Sequence, residues 1–248
     1  MAVGAVSAIL VALGALAQAG VVVAYDPGTT YTTDGLSTVS TSGAAMAGIL
    51  VTAYTADGDS ETVAWIATGT YVGGAYGTGW SLYLGNDTYG SWWTLTNITT
   101  HAITGLLIEG APGNTVFDVW ANTEGTSGSS NGWPFEFKHG PSIPVDIIAT
   151  YRNQVGVAGD APVGDLYEEM EIEFTNAGGF PSGVYEWLGF IADTDNATTT
   201  PLPAVPEPAS AISLAAGLAL LGGWGLRRKG NDGGRVRRSS VLLTRGRI

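Results

Sequence analysis

The chain has 248 residues, among them 37 glycines, eight tryptophans, ten tyrosines and no cysteine, with a formal net charge of −12. The missing cysteines exclude a disulfide framework, thiolate chemistry and cysteine-ligated zinc. Residues 20–204 hold twenty acidic side chains against Lys138 and Arg152, a net of about −18 that repels nucleic-acid phosphates, so no nucleic-acid partner is expected.

The N-terminus reads MAVGAVSAILVALGALAQAG. Residues 2–16 are apolar or small, and Ala17-Gln18-Ala19 has the small-x-small form of a signal-peptidase site. Residues 1–19 are therefore read as a signal peptide, with cleavage after Ala19. No Lys or Arg precedes the apolar run, so the α-amino group alone supplies its positive charge.

From residue 20 to residue 193 the pattern has period two rather than 3.6. In GWSLYLG, Trp80, Leu82 and Leu84 share one side, and in VDIIATY so do Val145, Ile147, Ala149 and Tyr151. AITGLLIEG and NTVFDVW are further strands, with APGN a turn between them. In YEEMEIEFT, Met170, Ile172 and Phe174 alternate with Glu169, Glu171 and Glu173, a half-buried strand whose acidic outer row also discourages strand-to-strand aggregation. Short strands separated by Gly, Asn and Asp predict an all-β, antiparallel β-sandwich or jelly-roll-like ectodomain. An N-terminal signal helix and a single C-terminal transmembrane helix complete the expected fold class.

Chemistry is sparse in this body. His101 and His139 stand in different segments, and no serine has a nucleophile-elbow context, so the expectation is that the protein is not an enzyme. Paired carboxylates are abundant, which keeps an extracellular hydrolase as a second alternative. Asp193, Asp195 and Asn196 in DTDN place hard oxygen donors together on what reads as a turn, the donor type that calcium takes. Asp57 and Asp59 form another such group, and neither has the spacing of an EF-hand loop. Trp92, Trp93, Trp133 and Trp187 are candidates for stacking on sugar rings. Trp92 and Trp93, being adjacent in a strand, must face opposite ways.

Residues 194–204, TDNATTTPLPA, read as a Thr/Pro linker. Then come Val205, Pro206, Glu207 and Pro208, where two prolines hold the backbone extended and withhold amide donors. Residues 209–226 are uncharged, about 27 Å as a helix at ~1.5 Å per residue, just enough for a bilayer core. Arg227, Arg228 and Lys229 follow and fix the C-terminal side as cytoplasmic, which leaves a basic cytoplasmic tail at 230–248.

The order Val-Pro-Glu-Pro, apolar helix, basic cluster over residues 205–229 resembles the PEP-CTERM sorting signal. That resemblance implies export through the inner membrane, a membrane-anchored precursor and recognition by an exosortase-type transpeptidase that cuts near Pro-Glu-Pro. It further implies delivery to the cell envelope or an exopolysaccharide matrix, in a structural or adhesive role. A carbohydrate- or calcium-binding module is the first alternative to that role. Family members end a few residues after the basic cluster, whereas this chain continues through NDGGRVRRSSVLLTRGRI. The stretch WWTLTNITTHAITGLLIEGAPGNTVFD is loosely similar to the ectodomains of such proteins.

Overall fold

Apolar–polar alternation punctuated by Gly, Asn and Asp resolves into strands along the whole body. Helical structure among the described residues is confined to two 3₁₀ turns, Gly43–Met46 and Ala111–Gly113. The structure is a computed structural model that describes residues 20–198, apart from 39, 121–124, 130, 141–144, 177 and 184–185. In chain order the strands are β1 Val21–Asp26, β2 Tyr31–Thr33, β3 Leu36–Thr38, β4 Leu50–Thr55, β5 Ser60–Ala64, β6 Ile66–Ala67, β7 Val72–Tyr76 and β8 Trp80–Gly85. There follow β9 Trp93–Asn97, β10 Ile103–Glu109, β11 Thr115–Asp118, β12 Glu136–His139, β13 Ile147–Val157, β14 Leu166–Phe174, β15 Trp187–Ile191 and β16 Asp193–Ala197.

They form two sheets. In the larger, β13 and β14 pair from Ile147↔Phe174 to Gln154↔Tyr167 as a central spine. The far edge of β14 carries β10 and then β11 in succession. Beyond β10 come β4 and β5, and beyond β11 come β16 and β3. The other edge of β13 takes β1 and β2 in parallel, so this sheet departs at its N-terminal rim from the purely antiparallel expectation. The smaller sheet, β12-β15-β9-β8-β7-β6, is antiparallel throughout.

The two sheets share one core. Val51, Leu106, Ile108 and Ile172 of the larger belong to the same buried cluster as Leu82, Leu84, Trp93 and Phe190 of the smaller. The predicted inward rows on β8, β13 and β14 are all buried. Each such large side chain contributes roughly 1.5–3 kcal/mol relative to exposure. Trp93 is the hub: its ring stacks on Phe190 (centroids 5.9 Å apart, planes 9° off) and its indole N–H donates to Ala192 O at 2.8 Å.

One boundary moves. Residues 193–196 are not a turn, and the linker does not begin at 194: they are strand β16, hydrogen-bonded to β11 on one edge and β3 on the other. Asp and Asn are poor strand formers. Here pairing on both edges satisfies the backbone, and burial of Thr194 against Met46 anchors the strand from the core side. The body therefore continues through Ala197. The signal segment with Ala17 and Ala19, the rest of the linker, Val205–Pro208, the apolar run and Arg227, Arg228 and Lys229 lie outside the described residues. Among the described residues no helix is long and apolar enough to cross a membrane.

Candidate functional site

The outer face of the smaller sheet is set by the inward rows just described. With Trp80, Leu82 and Leu84 of β8 buried, Ser81 and Tyr83 point outward. Register then turns Val72, Gly74 and Tyr76 of β7, and Thr94 and Thr96 of β9, to the same side. On β15, Trp187 stands opposite Thr96, and Gly189 opposite both Thr94 and His139. β7, β8 and β9 contain no charged residue, so the centre of this face is aromatic and hydroxylic. Charge is confined to its β12 rim, where Lys138 and Glu136 pair at 2.7 Å.

Two glycines let rings lie flat on this face. A Cβ at Gly189 would stand 3.0 Å from both the Trp92 and Trp187 rings, and one at Gly74 only 2.7 Å from the Tyr76 hydroxyl. Over Gly189 the rings form a row: His139 stacks on Trp187 at 3.7 Å and 15°, and Trp187 on Trp92 at 6.0 Å and 27°. Trp92 remains 43% exposed, Tyr76 45% and Tyr83 38%. Between the rings, the Ser81 and Thr96 hydroxyls share a 2.7 Å hydrogen bond. Rings bedded in this way present an apolar surface with polar groups beside it, suited to the CH-rich face of a sugar ring. Of the four predicted tryptophans, Trp92 and Trp187 meet here. Trp93 is core, and Trp133 is half-buried, its indole N–H donating to Glu136 at 2.8 Å and its ring set edge-on to Tyr89. Tyr76, Tyr83 and His139 were not foreseen; alternation from Leu82 gives Tyr83, whereas Tyr76 and His139 lie on other strands and need the sheet register.

A cleft of about 320 Å³ between the sheets' rims is lined by Asp57, Asp59, Glu61, Thr78, Trp80 and His101, among others. Glu61 accepts from the Thr78 backbone N–H (2.8 Å), the Thr78 hydroxyl (2.9 Å) and the Trp80 indole N–H (2.7 Å). These donors, the backbone one foremost, hold its carboxyl below the usual range. Asp57 is also held low, first by the Thr55 hydroxyl at 2.6 Å and then by His101 at 3.0 Å. Both carboxylates thus brace the β4–β5 turn against neighbouring loops.

The predicted calcium donors separate across β16. Asn196 turns to the core side, where it accepts from the Thr41 hydroxyl (3.1 Å) and donates to Ala45 O (3.1 Å) and the Thr115 hydroxyl (3.4 Å). Asp193 and Asp195 take the other side with Asp118, the direct partner of Asp193 across the β11–β16 ladder. Asp193 accepts from the Thr88 hydroxyl at 2.7 Å. Burial raises the Asp118 and Asp193 carboxyls to about 7 and that of Asp195 to about 8, with the neighbouring aspartates reinforcing each shift. Asp118 was not foreseen, because only the register of two strands distant in sequence reveals it.

Comparison with known proteins places one segment. Residues 204–229 match the family model described as the PEP-CTERM protein-sorting motif. No curated protein and no solved structure matches the chain.

Proposed function

We propose that this chain, whose residues 204–229 carry a PEP-CTERM protein-sorting motif, is an exported envelope protein that holds exopolysaccharide on the outer face of its smaller sheet. The motif implies an exosortase-type system and membrane-anchored sorting to the cell envelope. The inner membrane holds the precursor, and the delivered sandwich serves a structural or adhesive role in the matrix.

The observation that carries the binding role is the His139–Trp187–Trp92 row bedded on Gly189. An exposed aromatic row on a rigid sheet loses little entropy when it stacks on a flat ring, and the adjoining hydroxyls add hydrogen bonds. A polysaccharide repeats the same ring many times along its length, so weak contacts add through multivalency. This reading assigns binding and not turnover. Two of the carboxylates lining the cleft, Glu61 and Asp57, are held low and engaged in hydrogen bonds, whereas glycoside hydrolysis uses one carboxyl kept protonated.

Two experiments test the two halves. Replacing Pro206, Glu207 and Pro208 by alanine in the native host should leave the full-length precursor in the inner membrane. An unchanged intact mass and location would reduce the motif to a spacer. Co-sedimentation of the purified chain with the host's exopolysaccharide should show saturable binding that Trp92→Ala with Trp187→Ala removes.

A further inference from the structure

We propose that Asp118, Asp193 and Asp195 form a binding site for a hard divalent cation of the calcium class. The site lies in the larger sheet, on the side of β11 and β16 away from the main core and beside Val116, the register partner of Asp195 and part of a second buried cluster, and is separate from the aromatic face. Asp118 and Asp193 are register partners, which places their Cβ atoms roughly 4.5–5.5 Å apart, and Asp195 follows two residues on along the same side. A cation with oxygen bonds of roughly 2.3–2.6 Å spans carboxylates at such spacings.

Acidic clustering alone would not identify a ligand; the unpartnered oxygens do. Asp195 is 0% exposed, and neither of its carboxylate oxygens meets a hydrogen-bond partner. Asp118, 1% exposed, uses Oδ1 to accept from the Trp120 N–H at 3.1 Å and leaves Oδ2 buried and unpartnered. Three buried oxygens without donors are a large standing penalty whenever their carboxyls are ionised, which a proton or a cation relieves. Among the described residues no basic side chain does so. Between residues 20 and 204 the sequence has two basic residues, and Lys138 is paired with Glu136 and Arg152 with Glu171. His101 pairs with Asp57, and His139 lies against Trp187.

The donor set also selects the ion, because carboxylates without imidazole or thiolate favour calcium-type cations over zinc or copper. Asn196 is not a ligand, since its amide is used on the core side. Asp165 is a neighbour and not a ligand, since its two oxygens accept from the Thr126 N–H and hydroxyl. Among the described residues no three acidic or histidine side chains already close on one point. The cation therefore has to draw the three carboxylates inward by side-chain rotation, and the segment beside them, tied through Trp133 N–H to Asp118 O and Asp193 N–H to Trp133 O, tightens with them.

The test is thermal melting of the purified full-length chain in detergent, stripped with chelator and then titrated with calcium or magnesium. Calcium at a hundredfold excess over Kd should raise Tm by roughly 5–10 °C, and magnesium should raise it less. Asp195→Asn and Asp118→Asn should each abolish the rise, while Asp59→Asn in the distant β4–β5 turn should keep it. Terbium luminescence sensitised by tryptophan and displaced by calcium reads the same site in the unmutated chain, should a variant fail to fold. An unmoved Tm together with no displaceable terbium signal would overturn the proposal. So would a calcium shift that survives in folded Asp195→Asn. No polysaccharide enters the assay, so its failure leaves the aromatic face unaffected.

Discussion

The outward row of β14, Glu169, Glu171 and Glu173, and the outward rows of β8 and β9, Ser81, Tyr83, Thr94 and Thr96, are products of the same period-two alternation. They give opposite surfaces to solvent. On the larger sheet, Glu169 stands directly between Glu109 and Arg152, and Arg152 also reaches Glu171. That surface repels anionic polymers and other sheet faces. On the smaller sheet, the charges leave and rings settle over glycine. The difference teaches that the inward rows fix the fold, whereas the outward rows are free to be assigned to solubility on one side and to contact on the other.

Five substitutions, in four tests, probe this division, in order of decreasing effect. Trp93→Ala should lower stability by about 3–5 kcal/mol, because the ring packs on Phe190, Phe117 and Trp65, while Trp92→Ala next to it should stay within about 1 kcal/mol; urea unfolding measures both. Equal losses would erase the distinction between core and face. Gly189→Ala should lift the Trp92 and Trp187 rings and weaken polysaccharide binding severalfold, with a stability loss of roughly 1 kcal/mol.

The third concerns pH. Burial, reinforced by the charges of Glu169 and Glu109 against a hydrogen bond from Asn153, raises the Glu168 carboxyl to about 7. The folded state then holds this proton more tightly than the unfolded state. The stabilisation is complete below the ordinary value of 4.5 and is lost as pH rises through about 7. Glu168→Gln should reduce that part of the stability–pH slope without abolishing it, since Asp118, Asp193 and Asp195 titrate in the same window, read from Tm at steps between pH 4 and pH 8; an unchanged slope would place the proton elsewhere. The smallest effect belongs to Glu173→Gln on the acidic face. It should change stability by no more than about 0.5 kcal/mol and leave polysaccharide binding intact.

Much of this was legible in the sequence, and what escaped has definite physical causes. The inward rows of β8, β13 and β14 follow from alternation, and residues 204–229 follow from two prolines, an apolar run and a basic cluster. Strand β16 escaped because DTDN has the local chemistry of a turn, and only pairing with β11 and β3 makes it a strand. The same mistake joined Asn196 to Asp193 and Asp195, which a strand sends to opposite sides. Asp118 could not be seen beside Asp193 without the ladder that makes them neighbours. Alternation required Trp92 and Trp93 to diverge, but which of them faced the core depended on Phe190 and Phe117 arriving from other strands. The parallel course of β1 and β2 beside β13 left no local trace either.

On the proposed function, the uncharged aromatic face, and not the acidic one, holds polysaccharide. Affinity co-sedimentation with the host's exopolysaccharide, comparing the unmodified chain with Trp92→Ala/Trp187→Ala and with Glu169→Gln/Glu171→Gln/Glu173→Gln, tests it most directly. A loss of roughly tenfold to a hundredfold is expected for the tryptophan pair and none for the glutamate triple. Binding that survives loss of both tryptophans, or that changes only with the glutamates, would contradict it.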